Sequence, residues 1–432
     1  MTRMKESGID WIGQIPQEWG ISKIKFTTQL NGRIGWQGLT SAEYKEEGPY
    51  LITGTDFHNG TINFETAVHI DEKRWSEASQ IQVENGDLLI TKDGTVGKVA
   101  IISGLDDKAS LNSGVLRIQT IDEIDRRFLY YILLSDEFWM WFNYTNSGAS
   151  TILHLYQNVF DEFTFTFPQK NEQQKIADFL DKKTAQLDKV KALLEEQIQK
   201  LKDYRASLIY ETVTKGLDKN VPMKDSGIDW IGQVPQGWGV KPIKHVVATP
   251  VTDGPHETPL LCETGIPFLS AEAVKNGVLD FNYKRGYISL QDHERFKKKI
   301  SPKKDDIFIV KSGATTGNVG IVNTDEIFDI WSPLALIRCK KSLAVQKYIY
   351  YYLISNIFKA QVEFNWSFGT QQNIGMGIIE NIKLILPPLS EQTKISDLLD
   401  KKTVQIDKLI QIKNEQIKNI NKQRQTLIYD YV

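Results

Sequence analysis

At 432 residues, with 41% hydrophobic and 25% charged side chains, the chain has the composition of two or three globular domains, and disordered and fibrous classes drop out. No apolar run reaches the ~18 residues needed to cross a bilayer, and the opening MTRMKESGIDWIG lacks the charged-then-apolar pattern of a secretion signal, so no membrane partner is expected. A formal net charge of −2 does not advertise a nucleic-acid ligand, and only two cysteines, Cys262 and Cys339, point to a reducing, cytoplasmic setting without a disulfide framework.

The segment Lys5 to Lys25, KESGIDWIGQIPQEWGISKIK, returns as Lys224 to Lys244, KDSGIDWIGQVPQGWGVKPIK. The offset is 219 and fifteen of 21 positions are identical. Trp11 and Trp19 flank Pro16, and Trp230 and Trp238 flank Pro235. Each set reads either as a rigid docking element or as core of its own half.

Between the repeats lie two middles, 26–166 and 245–385, which share a plan and little sequence. Strands are expected at Tyr50–Ile52 and Phe268–Leu269, each followed by an Asn-Gly turn at Asn59-Gly60 or Asn276-Gly277. Apolar runs ending in Lys and a glycine turn follow at 86–94 and 305–313, then second strands at 99–102 and 319–322. Short core helices fit 128–134 and 348–354. Gly/Ser/Thr-rich loops (147–151 and 367–370) precede a final strand in each middle.

Pro168 to Val213 and Pro387 to Val432 are also copies at offset 219, free of glycine and of proline after the opening Pro168 or Pro387-Pro388. Each reads as one long helix, with Asn171 or Ser390 as N-cap and Glu172 or Glu391 in the first turn. At some 44 residues, each would run about 65 Å, too long to hide inside a globular domain. Ile176, Leu180, Leu187, Leu194, Ile198, Leu201 and Leu208 form one stripe, and Ile395, Leu399, Ile406, Ile417, Ile420 and Leu427 another. The expected fold is therefore α+β: two mixed α/β domains separated by two long helices in an antiparallel coiled coil, with a pseudo-two-fold internal repeat. The expected divisions are 1–166, helix 167–213, connector 214–223, 224–385 and helix 386–432.

No catalytic constellation emerges. The turns at Gly94 to Lys98 and Gly313 to Asn318 fail the spacing of a phosphate-binding loop. Asp56 with Asp71-Glu72-Lys73 nominally fits a nuclease, yet Asp106-Asp107-Lys108 competes and neither recurs in the other half. The histidines at 58, 69, 154, 245, 256 and 293 are scattered, so no metal site and no cofactor is expected in this chain.

The turn-rich loops instead carry hydrogen-bond donors and stacking groups suited to DNA. In the first middle, Arg33 has the fork for guanine, Gln37 the amide for adenine, and Trp36 a stacking plane. Lys92 and Lys98 are phosphate candidates, with Ser147, Ser150 and Thr151 in the later loop. In the second middle, His256 and Thr258 sit in the corresponding loop, with Lys311 and the amide-rich Thr370, Gln371, Gln372 and Asn373. Lys297–Lys299, Lys303 and Lys304 add basic groups for the backbone.

Two unlike middles closed by repeated helices resemble the specificity subunit of type I restriction-modification systems. The residues carrying the resemblance are the Gly-Ile-Asp-Trp-Ile-Gly-x-x-Pro-x-x-Trp segments (8–19, 227–238), Pro-Pro-Leu-Ser-Glu-Gln (387–392), Lys-Asp-Gly-Thr (92–95) and Thr-Asp-Gly-Pro-His (252–256). The first helix departs from this pattern, opening Pro168-Gln-Lys-Asn-Glu-Gln. The resemblance implies a non-catalytic subunit whose two target recognition domains each read half of a split, asymmetric site in double-stranded DNA. It also implies two modification subunits using S-adenosylmethionine to methylate adenine, and two restriction subunits using ATP and Mg. A coiled-coil scaffold whose domains bind protein or glycan is the alternative.

Overall fold

The computed structural model describes residues 3–33, 39–146, 153–364 and 373–432. The chain divides into two units, Met1–Leu194 with Asn414–Val432, and Glu195–Lys413. This division interleaves the chain: each unit holds one middle together with part of both long helices.

In the first unit, Leu88–Thr91 is the organising strand. Its four residues are all buried, as an uninterrupted apolar run covered on both faces requires. Leu88 and Ile90 pack toward Phe128, Leu129, Phe138 and Phe142. Leu89 packs the opposite way, with Ile52, Ala100 and Leu111. The strand lies between Val99–Ile101 and Val115–Thr120, and Thr28–Gly32 completes an antiparallel four-stranded sheet. A second sheet holds Lys45–Ile52 beside Ala109–Leu111 in parallel register, Tyr50 opposite Ala109.

The second unit repeats the design. Ile307–Val310 is buried throughout, Ile307 and Ile309 facing Tyr348, Ile349 and Phe358, while Phe308 and Val310 face Leu269, Phe328 and Ile330. Its sheet has six strands because Val274–Lys275 and Val278–Leu279 join the edge beyond Val319–Ile321. In each unit the tail of the repeated N-terminal segment pairs with the strand leading into a long helix. Gly20–Lys23 lies against Thr164–Phe167, and Gly239–Pro242 against Lys383–Leu386.

The helices run Lys170–Lys215 and Leu389–Tyr431. They begin one residue before the expected caps, so Asn171 and Ser390 lie inside the first turn rather than capping it. Within the first unit, Phe179 meets Tyr431 with ring centroids 4.7 Å apart, and Asp188 pairs with Arg424 at 3.7 Å. The index rises along one helix as it falls along the other, so they are antiparallel there. Within the second unit, Gln197 accepts from Lys413 at 2.5 Å and Arg205 pairs with Asp407 at 3.3 Å, the same sense. Every residue of the expected stripe is buried or half-buried. The stripe is wider than its apolar spacing suggests: Ile209 and Val213 belong to the core of the second unit, and Ile428 and Val432 to that of the first.

Repeated polar clamps fasten each middle to its helices. Gln173, fully buried, accepts from the Asp125 amide at 2.8 Å and donates to the Glu123 and Pro168 carbonyls. Gln392 does the same with Val345, Leu343 and Pro387. The hydroxyls of Tyr131 and Tyr351 donate to Asp181 and Asp400, each at 2.7 Å. A satisfied buried amide or hydroxyl is directional as well as stabilising, so these clamps set the angle at which each middle leaves its helix. The Asn-Gly turns join in: Gly60 and Gly277 adopt φ of 79° and 80°, and a Cβ on either would lie 2.2 Å from the hydroxyl of Tyr130 or Tyr350.

The short core helices appear as Arg126–Leu134 and Gln346–Leu353. Each is followed at once by a helix that sequence reading passed over, Asp136–Thr145 and Asn356–Phe364. Aromatic-rich runs such as DEFWMWFNYT do not announce helix locally; burial of Phe138, Trp141 and Phe142 decides it.

Candidate nucleic-acid interface

In each unit the central strand ends in a lysine, and the lysine's backbone ties three loops together. In the first unit the Lys92 amide donates to Gly114 O at 2.8 Å, and the Leu155 amide donates to Lys92 O at 2.9 Å. In the second, Lys311 donates to Pro333 O at 2.7 Å and accepts from Ile374 at 2.7 Å. These partners stand 219 residues apart in the two halves, so the same backbone knot is tied twice. It gathers the glycine turn, the loop before the next strand and the segment reached from the Gly/Ser/Thr-rich loop onto one face.

On the first face, Thr91 closes the glycine turn by accepting from the Lys98 amide at 2.9 Å through its hydroxyl. Gly97 lies against Trp139, where a Cβ would stand 2.5 Å from the indole. Lys92 has no carboxylate partner among the described residues, and its ammonium lies 4.0 Å from the point where a Cβ on Gly32 would be. Lys98 is exposed, its Nζ 3.5 Å from Gly54 O. His154 bonds Asp93 at 2.6 Å and its ring lies 5.7 Å from that of the exposed Tyr156. Two ammonium groups, an imidazole and an aromatic ring therefore share this face, the mixture that phosphate contact and base stacking call for.

Arg33 requires a correction. Sequence reading gave it to guanine, but its residue exposure is 4%, its Nε donates to Leu111 O at 2.8 Å, and its Nη2 donates to Ser110 Oγ at 3.3 Å. Burial lowers its pKa, and the nearby Arg74 acts the same way. The guanidinium ties the end of one sheet to the other instead of presenting a fork to solvent.

The second face is charged differently. Lys311 is only 12% exposed and bonds Asp253, so the expected phosphate contact is occupied by a buried ion pair. Asp253 also receives Lys299 Nζ at 2.7 Å, and His256 Nε2 lies 3.1 Å away. Burial alone would raise the Asp253 pKa, but hydrogen bonds from Lys299 and Lys311 outweigh it and hold the carboxyl low. Thr258 and Asn373 are exposed, and Asn373 bridges Ser312 through the backbone. Sequence reading missed Asp253 as the organiser. The Thr-Asp-Gly-Pro-His motif was the available signal, but the lysines lie 46 and 58 residues away.

Trp36, Gln37, Ser147, Ser150, Thr151, Thr370, Gln371 and Gln372 lie outside the described residues. The carboxylates considered for a nuclease have structural partners. Asp56 accepts from the Thr53 amide at 2.7 Å, Asp71 pairs with Lys45 at 3.7 Å, and Asp106 accepts from Tyr50 at 3.3 Å. Among the described residues no group of three or more His, Cys, Asp or Glu could hold a metal ion. No helix among them is long and apolar enough to cross a membrane.

The chain is similar to known proteins along most of its length. A putative type I restriction enzyme MjaX specificity subunit of Methanocaldococcus jannaschii is 23% identical over 430 residues, spanning 96% of this chain and 93% of its own. The type I restriction enzyme EcoBI specificity subunit of Escherichia coli is 24% identical over 432 residues, 98% and 87% respectively. A chain solved in work on complex assembly and conformational transition of the type I R-M system shares the fold. Its TM-score is 0.69 at 16% identity, over 96% of this chain and 98% of that one. The family model for the type I restriction modification DNA specificity domain matches residues 37–202 and again 235–422, and the chain belongs to that family.

Proposed function

We propose that this chain is the non-catalytic DNA sequence-specificity subunit of a type I restriction-modification complex. Each middle is a recognition domain for one half of a bipartite, asymmetric site in double-stranded DNA. The two long helices set the gap between the halves and dock two modification subunits, and two restriction subunits complete the assembly. S-adenosylmethionine, ATP and Mg serve those partners in the cytoplasm, and this chain holds no cofactor. The observation that carries the reading is the backbone knot at Lys92 and Lys311, matched position for position while the side chains around it differ. One scaffold bearing two chemistries fits two unlike half-sites.

Co-expression with the neighbouring modification subunit, followed by genome-wide mapping of methylated adenine, tests it. A single bipartite motif with a constant gap is expected; an intact complex that methylates no bipartite site overturns the reading. Inserting one heptad into both helices adds about 10 Å of rise. It should change the gap and leave the half-sites unaltered.

A further inference from the structure

Asp253 sits at the centre of a cluster that the described residues of the first unit lack. It ends the strand Thr252–Asp253, opposite Ala335 in the antiparallel register. The place equivalent to Ala335 in the first unit is Leu116, and it pairs with Gly32. The second unit therefore has a carboxylate where the first has no side chain. Around this buried carboxylate the basic side chains are graded from floor to rim. Lys311 is 12% exposed, Lys299 43% and His256 72%.

One carboxylate cannot neutralise two ammonium groups, so the cluster keeps a surplus positive charge at its open side. Lys299 also donates to Gly254 O at 2.8 Å, which leaves one of its three N–H donors unused among the described residues. The backbone aims the rim. A Cβ on Gly254 would lie 2.2 Å from Ile330 O, so the chain must pass against that strand before turning back. The turn returns His256 over Asp253. Further out, Arg295 pairs with Glu257 at 3.1 Å and with Asp292 at 2.6 Å, so its charge is already balanced. The unbalanced charge belongs to Lys299, with the His256 ring beside it at the rim.

We propose that Lys299 and His256, held in place by the buried Asp253 and backed by Lys311, form a clasp for one backbone phosphate of DNA on the second recognition domain. A phosphodiester carries a single negative charge and two free oxygens, which suits the unused N–H of Lys299 with the His256 ring beside it. Asp253 is the positioning residue: it fixes both side chains without being able to touch an anion itself. The clasp fixes the position of the DNA and carries no base information. This inference rests on the specificity-subunit reading, and the test separates the two.

The full chain in complex with its modification subunits is titrated with DNA carrying the mapped site, between about 50 and 200 mM salt. Lys299→Gln should weaken binding roughly tenfold and flatten the slope of log K against log salt by about 0.9. The methylated sequence should stay the same, and Lys299→Arg should restore the slope. His256→Gln, at an exposed side chain, should weaken binding roughly threefold without changing the sequence. Inorganic phosphate at millimolar concentration should leave wild-type binding unchanged; competition by it at the Lys299-dependent step would assign the clasp to free phosphate and overturn the DNA assignment. A changed base preference in the second half-site would make these residues base readers, and unchanged affinity and slope in a folded variant would make the cluster purely structural; either overturns the clasp. Wild-type complex that neither methylates a bipartite site nor binds DNA in a salt-dependent way would instead remove the specificity-subunit reading.

Discussion

The two loop faces share one backbone and differ in where charge is stored. On the first, Lys92 stands over Gly32 with no carboxylate beside it among the described residues. On the second, Lys311 is tied to Asp253, and the open charge has moved outward to Lys299, beside His256. A lysine at the same place in the same knot, half-buried in both halves, thus has no ion pair among the described residues in one half and is a counter-ion in the other. Duplicated chains keep the geometry that folds them and vary what that geometry presents.

The largest expected effect concerns the interleaving of the units. Ile428 belongs to the core of the first unit and Ile209, its copy 219 residues earlier, to that of the second. Ile428→Ala should cost about 2–4 kcal/mol in the first unit and Ile209→Ala a similar amount in the second. Hydrogen exchange read segment by segment distinguishes them. If both substitutions loosened the same unit, the division of the chain would be wrong.

The next contrast is a buried acid facing a buried hydrocarbon. Glu137 follows the buried Ser135 at the start of its helix as Ile357 follows Ser355, so the two share one position. Burial pushes the Glu137 carboxyl up to about 7, and its Oε2 has no hydrogen-bond partner among the described residues. A carboxyl raised in the folded state favours folding below its unfolded pKa, and that contribution is lost as pH rises through about 7. The first unit should therefore lose roughly 3 kcal/mol of stability between acidic and mildly alkaline pH. Glu137→Ile should remove that slope. Denaturant melts of both proteins across this pH range check it, and an equal slope in the variant would reassign the pH dependence.

The lysines sharpen the comparison with a smaller effect on stability. Lys92→Gln should leave the fold intact, weaken DNA binding about tenfold and flatten its salt dependence by about 0.9. Lys311→Gln should destabilise the second unit by about 1–3 kcal/mol, because Asp253 loses a buried donor. Asp253 would then neutralise Lys299, so the surplus charge of the cluster is lost and the salt slope should flatten as well. Equal slope changes without loss of stability would mean that both faces use this lysine alike.

Much of the fold was readable from local pattern. The 219-residue repeat, the apolar runs at 88–91 and 307–310, the Asn-Gly turns and the long helices all appear where expected. The helix at Asp136–Thr145 escaped because its residues have weak helical preference and only their burial selects that state. The site was less readable. Lys92, Lys98, His256 and Asn373 do lie on the loop faces, whereas Arg33 faces inward and the motif around Asp253 did not announce its lysine partners 46 and 58 residues away.

By itself, the sequence determined the duplicated architecture, the elements and the family, since these follow from spacing between near neighbours and from motifs repeated in order. Only the tertiary structure decided which cations remain open. Arg33 is taken by a carbonyl 78 residues away, Lys311 by a carboxylate 58 residues away, and Ile428 seats in a core built from the other end of the chain. Burial and ion pairing depend on which strands and helices meet, and no local pattern carries that information.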